Sequence, residues 1–347
     1  MDRVSQVRIS RRALAFAAAG AAAAGALADV AAQDDAVVYE PPETADELSG
    51  EFEADGSSTL GPLTEAAIEE FQLIAPDVRI TNGISGTGGG FERFVNGETA
   101  ISNASRPIKP SEQEAAAANG IAYYEFAVAY DGITVVVNPE NDWVDSLTVE
   151  QLRQIWSADG GVSTWADVNP EWPDEPIELY GPGTASGTFD YFNEAILGED
   201  TAVRTDYTPS EDDNVLVQGV AGSRNALAYF GFSYYEENQD VLRAVPIDGG
   251  SGPVEPSIET IADGSYAPLS RTLYIYVNAN DLVNRPEVTE FVSFYVATAD
   301  ELAPSVGYIA LRDEDEQAQW EKLQGALDGS VPPDSQQGAT PEASPAA

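Results

Sequence analysis

Residues 56–62 read Gly56-Ser57-Ser58-Thr59-Leu60-Gly61-Pro62, and from Pro62 to Ala75 apolar residues recur at helical spacing. Proline at a first helical position is already set for the helix and surrenders an N–H that had no partner there. Ser57, Ser58 and Thr59 therefore stand at a helix N-terminus, where unpaired N–H groups and the positive end of the helix dipole favour an anion. Serine and threonine are also the commonest caps, with no ligand involved. Whether these hydroxyls are caps alone, or caps and ligands together, depends on whether the chain repeats the arrangement.

It does so twice. Gly86-Thr87-Gly88-Gly89-Gly90 lies between a short strand, Val78 to Ile80, and a helix carrying Phe91 and Phe94. A phosphate-cradling Walker loop needs Gly-Lys-Ser/Thr, and no lysine is near; the dinucleotide pattern Gly-x-Gly-x-x-Gly fails at Phe91. What remains is a glycine-rich loop whose N–H groups can approach a small ligand without Cβ obstruction. Ser186-Gly187-Thr188 is the third case, after the strand Ile177 to Tyr180 and opening a helix to Leu197. Arg106, at the end of the strand-like Ala100 to Ala104, adds a guanidinium that can fork onto two oxygens of a tetrahedral oxyanion. The plainer reading of Arg106 is a surface arginine paired with one of many carboxylates.

Composition narrows the chemistry. The 347 residues include 59 acidic and 16 basic ones, a net charge of −43. A surface so acidic repels nucleic acid and anionic membranes, so neither is an expected partner. Only Lys109 and Lys322 are lysines, and an acidic, lysine-poor surface suits a salt-rich milieu that screens self-repulsion. There is no cysteine and no histidine. That removes disulfides, Cys or His metal sites, and the Ser-His-Asp and Cys-His nucleophile systems. A carboxylate-only hydrolase stays open, although carboxylates are so abundant that a candidate pair is uninformative.

The N-terminus carries Ser10-Arg11-Arg12 and Leu14, then an uncharged Ala-rich run to Ala28 with Ala26-Leu27-Ala28 at its end. This reads as a twin-arginine export signal over residues 1–28, and the protein is expected to be periplasmic or extracellular. Residues 29–50 are acidic and proline-containing, an expected flexible leader. The body then alternates strands and helices, which implies an α/β sheet with parallel pairing. Helices are expected at Pro110 to Ala118, Val149 to Trp156, Asn214 to Ser223 and Pro286 to Ala297. Strands are expected at Glu51 to Ala54, Tyr124 to Ala129, Ile133 to Asn138, Ala228 to Phe232, Leu242 to Ile247 and Leu273 to Val277. From Val331 the chain is rich in Pro, Ser, Gln and Ala and is expected to be unstructured. The five tryptophans read as packing rather than a sugar platform.

Taken together, the three loops carry a resemblance. Gly56-Ser57-Ser58-Thr59-Leu60, Gly86 to Phe91, Ile101-Ser102-Asn103-Ala104-Ser105-Arg106-Pro107-Ile108 and Ser186 to Phe192 are similar to segments of the PstS family, the phosphate-binding proteins of ABC-type phosphate importers. So are Asp131-Gly132-Ile133-Thr134, Ala228 to Phe232 and Pro268-Leu269-Ser270-Arg271, in order along residues 51–325. The resemblance implies a type II periplasmic-binding-protein fold, with lobe 1 at 51–133 plus 270–330, lobe 2 at 134–269, and crossings near Thr134 and Ser270. It implies phosphate contacts from Ser58, Thr59, the backbone of Leu60, Thr87 and Arg106 in lobe 1, and from Ser186, Gly187 and Thr188 in lobe 2. It further implies a monomeric receptor, not an enzyme, without cofactor or metal, that delivers inorganic phosphate to a membrane permease. Some relatives hold aspartate at the position of Arg106 and an arginine four residues before Ser186, where this chain has Pro182; the cation has changed lobes. A same-fold receptor for sulfate, arsenate or molybdate is the alternative.

Overall fold

The structure, a computed structural model, describes residues 37–337 apart from 185, 199, 200 and 211. The expected signal over 1–28, the leader as far as residue 36 and the tail from residue 338 lie outside the described residues. After a 3-10 turn at Ala45–Glu47, the chain forms β1 (Ser49–Gly56), α1 (Gly61–Phe71), β2 (Asp77–Gly83), α2 (Gly86–Phe94), β3 (Ile101–Ala104) and α3 (Pro110–Ala118). Next come β4 (Tyr123–Val137), β5 (Leu147–Thr148), α4 (Val149–Trp156), α5 (Trp165–Val168), β6 (Glu178–Pro182) and α6 (Gly187–Phe192), which a π-helical turn at Asn193–Leu197 prolongs. They are followed by β7 (Thr208–Ser210), α7 (Asp213–Gly222), β8 (Ala226–Gly231), α8 (Phe232–Glu237), β9 (Arg243–Ala244), β10 (Ile247–Asp248) and β11 (Pro253–Val254). The last elements are α9 (Ile258–Ala262), β12 (Ser270–Asn278), α10 (Ala279–Asn284), α11 (Pro286–Ser305), α12 (Asp313–Asp328) and α13 (Asp334–Gln337).

One sheet runs in the order β2-β1-β3-β12-β4-β8-β6-β7, with β9 also on β4, and β11-β10-β5 form a separate small sheet. β2, β1 and β3 are parallel, as are β8, β6 and β7, whereas β12 and β4 run antiparallel between the two parallel sets. β4 joins the halves. Its residues from Tyr123 to Gly132 pair with β12, and those from Ile133 to Val137 pair with β8.

Strand–helix periodicity decides what each half buries. Leu63, Ala67, Ile68 and Phe71 share one face of α1 and are almost fully buried with Phe126, Ile275, Phe291 and Tyr295. Burying each large apolar side chain there contributes about 1.5–3 kcal/mol. A second core gathers Ile133, Val135, Trp156, Trp165, Phe192 and Tyr229. Ile309 and Leu311, beyond α11, pack in this second core. Trp156 and Trp165 are buried and Trp143, Trp172 and Trp320 pack against the two cores, so the tryptophans are packing groups.

Several elements depart from the sequence reading. Asp131-Gly132, a dipeptide that favours hairpin turns, sits inside one continuous strand, β4, instead of separating two. A Cβ at Gly132 would lie 2.5 Å from the end of the Ile261 side chain, which would have to move. Glycines 86–90 are not a loop but the first turns of α2. Gly90 permits α2 to press on β1, because a Cβ there would meet the Gly56 Cα at 2.5 Å. Leu242 to Ile247 is divided between β9 and β10, in different sheets. The ends of the body are longer than expected. Tyr39, in the leader, packs edge-on against Phe294 and its hydroxyl donates to Glu290. Residues 331–337, expected to be unstructured, end in α13, where Asp334 and Ser335 accept the N–H groups of Glu125 and Tyr123 on the free edge of β4. Covering that edge removes a template for strand pairing with another chain.

Candidate functional site

The ends of β1 and β3 set the first loop. Gly56 has φ +140 and lies so close to Asn103 that a Cβ would stand 2.2 Å from the Asn103 carbonyl oxygen. The Ser57 N–H donates to that same carbonyl, at 2.9 Å. The N-cap of α1 is Leu60, with no side-chain cap, so the expected hydroxyl cap is displaced upstream: in the preceding turn the Ser57 Oγ accepts the Leu60 N–H at 3.4 Å and its carbonyl accepts the Gly61 N–H at 3.1 Å. That leaves Ser58 and Thr59. Among the described residues their N–H groups find no backbone acceptor, and the half-buried Ser58 hydroxyl makes no hydrogen bond. Asn103 is fully buried, donates to Asn82 and accepts from Thr64, so the sequon Asn103-Ala104-Ser105 is no accessible glycan site.

The second loop is tied to the first by Asp55, a residue that sequence reasoning passed over. Its buried carboxylate accepts the N–H of Gly56 at 2.7 Å, the N–H of Ser85 at 3.0 Å and the Arg93 guanidinium at 2.7 Å. Burial would raise this carboxyl, but Arg93 and the donors from Ser85 and Gly56 hold it below the usual range. Thr87 follows at the start of α2, with its hydroxyl 3.0 Å from that of Ser105 and accepting the Ser105 N–H. Arg106 is next. Its guanidinium forks onto Glu112 at 2.7 and 2.9 Å, donates to the Pro107 carbonyl, and lies over the Phe91 ring. The cation read from the sequence is thus present beside Thr87, but with a carboxylate already in its fork.

The third loop meets the first. Ser186 caps α6 by accepting the Thr188 N–H at 3.2 Å. A Cβ built on Gly187 would stand 3.3 Å from the Thr59 Cα and 3.4 Å from its Oγ1, a tight contact that a side chain there could make only by pushing Thr59 back a few tenths of an ångström. Thr59 and Gly187, from opposite halves of the sheet, are brought together. Thr87 and Arg106 form the neighbouring cluster, connected to Thr59 through the Gly90–Gly56 contact and through Asp55.

Four further residues complete the surroundings of Thr59. Arg271 on β12 stands directly opposite Asp131 on β4. Its Nε lies 3.0 Å from the Asp131 Oδ2, and its Nη2 donates to the Thr59 Oγ1 at 2.8 Å. The guanidinium carbon sits 3.5 Å above the Tyr191 ring, and the Tyr191 hydroxyl donates to the Pro268 carbonyl. The Tyr308 hydroxyl donates to the Thr59 carbonyl. Burial pushes the Asp131 carboxyl up, against the opposing pull of Arg271. The signal for Arg271 in the sequence was its place in the segment Pro268-Leu269-Ser270-Arg271, which carried part of the resemblance without assigning the arginine a role. A cavity of about 350 Å3 is lined in part by Tyr308.

Residues 41–299 match the family model of the PBP superfamily domain. Protein SphX of Synechocystis is 49% identical over 273 residues, which cover 78% of this chain and 81% of that protein. The phosphate-binding protein PstS of Staphylococcus saprophyticus is 44% identical over 277 residues, covering 79% of this chain and 84% of its own. The crystal structure of a possible phosphate-binding protein from Planctomyces limnophilus is similar with a TM-score of 0.78 and 47% identity, covering 81% of this chain and 99% of that one.

Proposed function

The chain belongs to the PstS family of phosphate-binding proteins, within the PBP superfamily, and on that premise we propose that it is a solute-binding protein that takes up inorganic phosphate and delivers it to an ABC-type importer. Its fold is the two-lobed α/β fold of periplasmic binding proteins. The observation that supports the reading is the meeting of Thr59 with Gly187, which sets the hydroxyl-bearing turn of one half against the helix start of the other. Donors fixed on helix ends and strand ends need little reorganisation to receive an anion.

In this reading residues 51–133 with 270–330 form one lobe and 134–269 the other. Closure is hinge bending about β4 and β12, with contacts from both lobes stabilising the shut form. Ser58, Thr59, the Leu60 backbone and Thr87 supply donors on one side, and Ser186, Gly187 and Thr188 on the other. Arg106 would turn part of its fork from Glu112 toward the anion. The protein works outside the cytoplasm after export by the signal over 1–28, and its partner is a membrane permease.

Calorimetric titration of the purified protein with phosphate at high salt tests this. Saturable binding at micromolar or lower Kd, accompanied by a rise in Tm, is expected. No heat and no shift in Tm would end the proposal. Stronger binding of sulfate, arsenate or molybdate in competition would keep the fold and change the ligand.

A further inference from the structure

We propose that Arg271, rather than Arg106, is the principal cation of the anion site, and that it also sets Thr59 to act as a donor. The inference rests on the phosphate reading and assigns the charge within that same site. Arg271 and Asp131 face each other across β12 and β4, one residue before β4 passes from β12 to β8. The pair therefore stands where the two halves of the sheet join, and only 11% and 7% of the two side chains are exposed.

The hydrogen bonds decide what each group has left to offer. A guanidinium has donors only. Since Arg271 Nη2 donates to the Thr59 Oγ1, that oxygen is an acceptor in this contact and its own hydrogen is free to point elsewhere. The Thr59 carbonyl is also occupied, by the Tyr308 hydroxyl. Thr59 is left with donation, through O–H and N–H, toward Gly187. The Nε and Nη2 of Arg271 are taken by Asp131 and Thr59, whereas Nη1 has no acceptor among the described residues. Its hydrogens are left for an anion bound beside Thr59. Tyr191 beneath the guanidinium and Asp131 beside it fix its plane, so the donors are oriented before the ligand arrives. Asp131 also serves as the standing counter-ion, so an empty cleft does not leave a bare buried cation.

A donor set of this kind favours the ligand with the most acceptors and the most charge. Phosphate as the dianion is preferred over the monoanion, because each proton on the ligand turns one acceptor into a donor facing other donors. Arg106 contributes less, since Glu112 competes for its fork.

The test is phosphate titration of the parent, of Arg271→Gln, and of the double variant Asp131→Asn/Arg271→Gln, at about pH 6 and about pH 8, on either side of the second ionisation of a phosphate group. Arg271→Gln alone strands a buried carboxylate and can unfold the protein; the double variant removes both charges and keeps the shape. Expected for the double variant are a ligand-free Tm close to that of the parent and phosphate binding about 100-fold weaker or more. Its gain in affinity from low to high pH should be much smaller than the parent's, which a purely structural role of the pair would not produce. A folded double variant that binds within about threefold of the parent, with the parent's pH dependence, overturns the inference and leaves the phosphate reading standing. A parent that gives no phosphate heat removes the reading itself.

Discussion

Two arginine–carboxylate pairs border the same loops, and they differ in almost every physical respect. Arg106 and Glu112 are six residues apart, with 24% and 18% of their side chains exposed, and the carboxylate fills the guanidinium fork. Arg271 and Asp131 are 140 residues apart, more deeply buried, and the guanidinium keeps one nitrogen unused while touching Thr59. The first pair is a local clasp at the start of α3, reinforced by the Lys109 N–H that Glu112 also accepts. The second is a cross-strand pair at the join of the sheet. A charge conspicuous in sequence is therefore not the one best placed to meet a ligand. What counts is which donors remain after the protein has used its own acceptors.

The comparison breaks most readily at Asp131. Asp131→Ala would leave the Arg271 guanidinium buried and unpaired, and a stability loss of about 3–5 kcal/mol in urea denaturation is expected. A loss no larger than that of Glu112→Ala would mean the two pairs do not differ as argued. A third carboxylate sharpens the contrast. Glu316 on α12 is 8% exposed, and its carboxylate makes no hydrogen bond or ion pair among the described residues.

Burial, with Asp300 and Glu301 on α11 and Asp313 on α12 nearby, pushes the Glu316 carboxyl up to about 7. For an acid whose folded pKa is raised, the folded state binds the extra proton, so its stability falls as pH rises between about 4.5 and about 7. Glu316→Gln should therefore raise stability at pH 8 by about 2 kcal/mol and flatten the denaturation midpoint across that window. An unchanged pH profile would show that Glu316 is solvated like an ordinary surface carboxylate. The smallest effect is expected at Arg106. Arg106→Gln should alter stability by less than about 1 kcal/mol and weaken phosphate binding about tenfold at most. A loss as large as that of the Arg271 double variant would reverse the order of the two cations.

Much of the fold was legible along the chain. α3 and α4 begin and end where their proline, capping and apolar signals place them, because those signals act within a turn of helix. α1 stops at Phe71, earlier than the apolar run to Ala75, since Pro76 disfavours helix in the residue before it. The hydroxyl and glycine loops were legible for the same reason: a cap and a close approach leave residue types behind. The two strands expected at Tyr124 to Ala129 and Ile133 to Asn138 are one, because β4 pairs without a break, first with β12 and then with β8.

By itself the sequence determined the alternation of strands and helices, the three stretches of hydroxyls and glycines at helix starts, and the absence of histidine and cysteine chemistry, all of which rest on local spacing or on composition. Only the tertiary structure decided which loops face each other, and which arginine has hydrogens left to give. The register of β12 on β4 sets Arg271 opposite Asp131 and within reach of Thr59. Such a register is the outcome of two buried strands packing their faces into separate cores, and no stretch of neighbouring residues records it.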